Sequence, residues 1–201
     1  MKLTPARSTR VAFVMSLTAA LCTTMLVAPP ANAAASDQAR TDAQTERLYE
    51  ISQKYTVGDE LSAADADFIK ATATNAAATR GAVANCFRKS GSGAVNGTGT
   101  VDGCHGSQIG PGTRNNWMAG YTATGNANVT KIKAAEHVRA YGLIGSGGIG
   151  VVYASDPSAT VNGRTHKFSR SATFTALAAY MTVQYDATFY TSRGSFNVTG
   201  G

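Results

Sequence analysis

Residues Ala172–Thr191 read ATFTALAAYMTVQYDATFYT. From Leu177 onward, odd positions carry Leu177, Ala179, Met181, Val183, Tyr185, Ala187 and Phe189. Even positions carry Ala178, Tyr180, Thr182, Gln184, Asp186, Thr188 and Tyr190. Successive side chains of a strand point to opposite faces, so this alternation predicts a half-buried strand with its odd face in a core and its even face toward solvent. The β-branched and aromatic residues reinforce the assignment. The stretch is longer than an ordinary strand, and the small pair Ala178–Ala179 is the expected place for a bend or bulge.

Working outward, turn chemistry recurs around this stretch. Ser192-Arg193-Gly194 turns it into a last strand, Ser195 to Thr199. Upstream, Asn162-Gly163 lies between β-formers within Ala159–Phe168, a strong local hairpin signal. Asp156-Pro157 separates that segment from two apolar runs, 137–144 and 149–154, joined by Gly145-Ser146-Gly147-Gly148 and read as another hairpin. Residues 117–124 predict a short strand. Val129–Tyr141 fits a helix capped by Asn128 and stopped by Gly142. It also fits a strand that alternates Ile132, Ala134, Val138 and Ala140 with Lys131, Lys133, His137 and Arg139, and the strand is the reading adopted. Eleven of the sixteen aromatic residues lie from Trp117 onward, and aromatics dominate core energetics. The expected fold is therefore mainly β, an antiparallel β-sandwich or small barrel over about 115–201.

The preceding chain differs in character. Residues 1–33 have the form of an export signal: Lys2, Arg7 and Arg10, then an apolar run from Val11 to Val27, then Ala31-Asn32-Ala33 as a small-x-small cleavage site. Residues 34–82 predict an acidic helical hairpin. Leu48, Ile51 and Tyr55 share a helical face, Thr56-Val57-Gly58 breaks it, and Ser62-x-x-Asp65 starts a second helix ending at Gly81. Its apolar stripe is thin, which suits a pro-segment, a spacer or a hairpin docked on the β-domain. Residues 83–114 are read as a glycine-rich loop, SGSGAVNGTGTVDG over Ser90–Gly103, tied at its base by a Cys86–Cys104 disulfide. Two cysteines in an exported chain point to one such bridge, worth roughly 3 kcal/mol in the chain-entropy model.

The formal charge of +6 divides unevenly. Three of the cations belong to the signal, residues 34–80 carry −3, and residues 81–201 carry +6. That asymmetry suggests that the two parts meet each other or meet different partners. Lys131, Lys133, His137, Arg139, Arg164 and Lys167 form a candidate basic binding face. They carry no nucleic-acid module's aromatic-basic motif, so no nucleic acid is expected. His137, between Lys133 and Arg139, has neighbours that disfavour a proton on it, as a general base can use. A solvated polar face is the plainer account. Gly145–Gly150, GSGGIG, is followed by the β-run Val151-Val152-Tyr153 rather than a helix, unlike a phosphate-binding loop. A zinc site at Cys86, Cys104 and His105 lacks the paired-cysteine spacing such sites use. No G-x-S-x-G, H-E-x-x-H or C-x-x-C occurs. The Ala-rich, Arg-over-Lys composition reads as bacterial.

These features predict a secreted, non-catalytic binding protein without catalytic residues, metal or cofactor. Its partner is expected to be another extracellular protein, in an assembly to which it contributes a subunit or adaptor, or an anionic cell-surface polymer. A membrane-active toxin or bacteriocin, its long alternating strand lining a pore, is the first alternative. An extracellular hydrolase with an unfamiliar site is the second.

Overall fold

The computed structural model describes residues 31–75, 83–93, 96–110, 113–145 and 147–200, with the backbone alone for 31–41, 74–75 and 83–84. Residues 1–30 of the expected export signal, and the expected helix cap at Gly81, lie outside the described residues. Two helices come first, α1 (Ala31–Lys54) and α2 (Ala63–Thr72). Ten strands follow among the described residues: β1 (Thr74–Asn75), β2 (Val83–Gly93), β3 (Gly97–Ile109), β4 (Arg114–Gly125), β5 (Val129–Ile144), β6 (Gly148–Ser155), β7 (Ser158–Asn162), β8 (Thr165–Thr175), β9 (Ala178–Thr191) and β10 (Gly194–Gly200). They form two antiparallel sheets that face each other as a sandwich. One has the order β2-β3-β4-β8. The other is built on β9 and β5, with β1 and β10 along the free side of β9 and β6 and β7 along the free side of β5.

The core between the sheets follows the alternation. In one region Val101, Tyr121 and Phe168 meet Ile132, Ala187 and Phe189. In the other, Trp117, Ala119 and Phe174 meet Val138, Met181 and Val183. The odd side chains of β9 from Met181 to Phe189 are all buried, as the period of two predicts. Val129–Tyr141 is strand, within β5. The 137–154 and 191–194 hairpins form as expected, as β5–β6 and β9–β10.

Four expectations are corrected. The stretch Ala172–Thr191 is two strands in different sheets: Ala172–Thr175 ends β8, and the chain crosses at Ala176–Leu177 into β9. Buried Asn115 pins this crossover by donating to the Ala176 carbonyl (2.9 Å) and the Thr113 carbonyl (3.0 Å). Leu177 lies in the link and is 56% exposed rather than in the core. The bulge does fall where small side chains permit it. Tyr141 pairs with Tyr180 but Gly142 pairs with Ala178, so Ala179 is left over. Second, the middle of the even face of β9 is not solvated: Thr182 and Gln184 are buried, and Gln184 donates to Thr45 of α1, while Tyr180, Asp186, Thr188 and Tyr190 are half-buried. Third, Asn162-Gly163 turns no hairpin. β7 pairs with β5 and β8 with β4, so the dipeptide carries the chain between sheets.

The fourth correction concerns residues 83–114, which form a β-hairpin rather than a loop and carry the β-domain back to Val83. Glycine is a poor strand former in isolation. Here it occupies inward positions that leave no room for a side chain. A Cβ on Gly99 would lie 2.7 Å from the Phe189 ring, and one on Gly93 would lie 2.6 Å from Phe196. The bridge between Cys86 and Cys104 joins directly paired residues of this hairpin, with Cα atoms 4.0 Å apart.

The helical segment docks on the outer face of the β5–β9 sheet. Ile51, Leu61, Ala66 and Ile69 pack with Tyr141 and Val151 of that sheet. Ser62 caps α2 by accepting from the Asp65 amide. Asp65, fully buried, accepts from Lys54 (2.9 Å), Tyr55 (2.7 Å) and Arg47, which joins the two helices. Burial raises the carboxyl's pKa, and these partners more than offset that, holding it well below the usual carboxylate range.

Candidate functional site

At one edge of the sandwich β2 of one sheet meets β10 of the other, and α1 contacts both strands at this seam. Lys89 of β2 and Asp42 of α1 form an ion pair at 2.9 Å across it. On either side of the pair lies a cavity, one of about 420 Å³ and one of about 400 Å³. The cavities share Asp42, Thr45 and Lys89 as walls, so they are two halves of one cleft. The first half has an aromatic floor. Phe87 stacks on buried Tyr185 with ring centroids 4.0 Å apart and planes 13° apart. Asn85, Arg88 and His105 complete its walls. The second half is lined by Glu46 and Tyr49 of α1 and by Asn197 and Thr199 of β10.

The electrostatics of this cleft are mixed. Arg88 and Lys89 balance Asp42 and Glu46, so no single sign prevails. Burial pushes the Tyr185 hydroxyl's pKa upward, and the Asp42 charge adds to this. Burial also lowers the pKa of His105, which keeps the imidazole neutral. Tyr49, half-buried, has its hydroxyl's pKa raised by burial and then by the Asp186 and Asp156 carboxylates. The cleft therefore offers amides, hydroxyls and a neutral ring beside a stacked aromatic pair.

The candidate basic face does not assemble as one surface. Lys131, Lys133, His137 and Arg139 share the outer face of β5. Lys131 lies over the Tyr190 ring at 3.9 Å, and Lys133 is exposed. Arg139 is only 6% exposed, and its guanidinium donates to the Ser52 carbonyl of α1 (3.0 Å) and to Asp156 (2.8 Å). Arg164 lies in the link after β7, and Lys167 projects from β8 in the other sheet. That distribution removes the support for a continuous anion-binding surface.

His137 meets an acid. Its Nδ1 lies 2.8 Å from Asp156 Oδ1, and Asp186 lies nearby on β9. Burial pushes the Asp156 carboxyl up, but the Arg139 and His137 hydrogen bonds outweigh it and hold that carboxyl below its ordinary value. Asp186 is raised by burial, with His137 and Lys133 opposing. α1 covers the imidazole but not its partner: Tyr49 packs edge-on against the ring at 5.3 Å and His137 Nε2 is buried without a partner, while Asp156 is 47% exposed. The arrangement orients a base but gives it no path to a substrate while α1 is docked.

Two other features stand apart. Glu136 faces the inter-sheet core, fully buried, with neither carboxylate oxygen hydrogen-bonded. Burial pushes its pKa up to about 8, against a weaker opposing effect of Arg170. On the outer face of the β2-β3-β4-β8 sheet, a depression of about 390 Å³ runs past Cys104, Gly106, Met118, Gly120, Ser169 and Ser171. Both sulfurs beside it are joined to each other, so neither is available as a thiolate.

Sequence patterns pick out few residues of the cleft, since they come from five separate elements. The one available signal is Phe87, an isolated aromatic beside Cys86 in a glycine-rich run. Among the described residues no group of histidine, cysteine, aspartate and glutamate side chains is arranged to hold a metal ion. No known family model matches the chain, and no curated protein matches it.

Proposed function

We propose that the chain is a secreted, non-catalytic binding protein, acting as a cell-surface binder or as a subunit of an extracellular assembly. The observation that carries this reading is the cleft where α1 crosses the seam between β2 and β10. Clefts of this size with a few convergent polar groups and an aromatic floor are the usual form of ligand sites. Export is supported by the signal pattern of residues 1–33 and by the Cys86–Cys104 bridge, since disulfides persist in oxidising compartments. Among the described residues no helix is long and apolar enough to cross a membrane. The test is to express the full chain in a bacterial host and sequence the amino terminus of the exported form. The purified product is then incubated with intact cells, purified cell walls and culture supernatant. A mature start at Ala34 and saturable retention by one of these support the reading. Retention by none of them contradicts it.

One observation favours a second reading as a hydrolase, the His137–Asp156 pair. That reading requires α1 to leave, so activity on esterase or peptidase substrates should appear only after proteolytic release of the helices and should vanish in His137→Ala. The membrane-active alternative has less support, because the middle of β9, Met181–Tyr185, is buried on both faces.

A further inference from the structure

We infer that the seam cleft takes a neutral glycan, with a sugar ring lodged in each half; this rests on the binding-protein reading and names its ligand. Charge is the first argument. Two cations and two carboxylates line the cleft, and Lys89 is already paired with Asp42 at 2.9 Å. An anionic polymer would meet Glu46, and a cationic one would meet Arg88. A neutral ligand meets neither penalty.

The hydrogen-bonding groups of the cleft suit the same ligand. Asn85 in one half and Asn197 in the other are exposed amides, each offering a carbonyl acceptor beside an NH₂ donor. The hydroxyls of Thr199 and Tyr49 add groups that both donate and accept. A hydroxyl of a sugar also donates and accepts, so vicinal hydroxyls match such groups in pairs. The floor of the cleft suits it as well. Phe87 is half-buried and held against Tyr185, which presents a rigid apolar plate beside polar walls. The C–H face of a pyranose is apolar and packs on a plate of this kind. Finally, the halves adjoin, and each falls in the lower part of the range for small-molecule sites, roughly 300–1,000 Å³. Two adjoining compartments of similar volume suit consecutive units of a chain.

The test uses the full disulfide-bonded chain. Retention is measured on insoluble chitin and cellulose and in gels containing soluble xylan, with dextran sulfate as the anionic comparison. Asn85→Ala and Asn197→Ala are the cleft variants, and Met118→Ala, in the separate depression on the outer face of the β2-β3-β4-β8 sheet, is the control. Both asparagines are exposed, so thermal melts should match the parent. Retention by at least one neutral polysaccharide is expected, insensitive to 0.5 M salt as the order of magnitude to use for screening. Each asparagine variant should weaken it about 10-fold, and Met118→Ala should leave it unchanged. The inference is overturned if neutral polysaccharides fail to retain the chain, if only dextran sulfate does, or if the asparagine variants bind like the parent. If cells or walls still retain the chain in those cases, the binding-protein reading survives and the ligand assignment alone falls. If nothing retains it, both fall.

Discussion

Gly99 of β3 lies directly beneath Phe189 of β9, so close that a Cβ at position 99 would sit 2.7 Å from two atoms of the ring. Phe189 is fully buried and stacks on Phe196 at 5.1 Å, so the ring has nowhere to retreat. The glycine and the aromatic residue fill one volume between them, which makes a glycine-rich segment into an inward-facing strand.

Gly99→Ala should therefore destabilise the fold by about 1–3 kcal/mol, as overpacking of a filled core does. Gly120→Ala is the contrasting variant. There a Cβ would meet the Ser169 hydroxyl at an ordinary 3.4 Å on the opposite face of the sheet, and the expected change is within about 1 kcal/mol. Urea denaturation of the two variants checks the difference.

Glu136 should make the fold less stable toward alkaline pH. Its carboxyl is raised from an ordinary 4.5 to about 8 in the folded chain, chiefly by burial. The folded state then holds a proton that the unfolded state releases, so stability falls as pH rises from about 4.5 to about 8 and levels off above that. Arg170 opposes the shift, and the Tyr121 hydroxyl feels the Glu136 charge. Glu136→Gln keeps the shape without the proton. It should flatten the decline and gain several kcal/mol relative to the parent at pH 9. Melting temperatures from pH 5 to 9 test this, and parallel curves for parent and variant would refute it.

Asp65 acts in the opposite direction. Its carboxyl is held low by Lys54, Tyr55, Ser62 and Arg47, so its contribution is complete above the ordinary carboxylate range and is lost as pH falls through the depressed value. Asp65→Ala removes the acceptor these groups share, although Arg47 keeps its pair with Glu50 at 2.9 Å, and should loosen α1 and α2 by about 1–3 kcal/mol. Amide hydrogen exchange should show faster exchange in residues 42–72 while β3, β4 and β5 keep their protection.

A chain starting at Gly81 tests the same docking from the other side. Removing the helices exposes Tyr141 and Val151 but leaves both inter-sheet clusters intact. A cooperative melt at a lower temperature, with dye-binding apolar surface, is the expected result. A non-cooperative melt would mean that the helices complete the core.

On β9, Val183→Asp puts a charge into the inter-sheet core and should cost several kcal/mol. Gln184, on the other face, donates to the Thr45 carbonyl at 2.9 Å, so Gln184→Ala should cost about 1 kcal/mol rather than nothing. Chemical melts of both variants distinguish a strand covered on two faces from one that is half-exposed.

Local pattern was enough to read the β class, the disulfide, the capped second helix and which side chains of β9 share a face. Each of these follows from neighbours in sequence: the period of two, the Ser62–Asp65 spacing, the count of cysteines. The glycine-rich segment reads as a loop, although glycine alternates with serine or threonine at 90–93 and 97–100, because a glycine strand shows itself only by the rings that fill the space its side chains leave. What lies over a face is another matter. Gln184 and Thr182 are polar on a strand and look solvated, yet α1, more than 120 residues earlier, covers them. The crossover at Ala176–Leu177, the dispersal of the basic residues over two sheets and the cleft joining Asn85 to Asn197 likewise depend on contacts between distant segments. Alternation states only that two side chains point the same way. What meets them there is decided by which elements pack to bury the remaining apolar surface, and only the tertiary structure carries that.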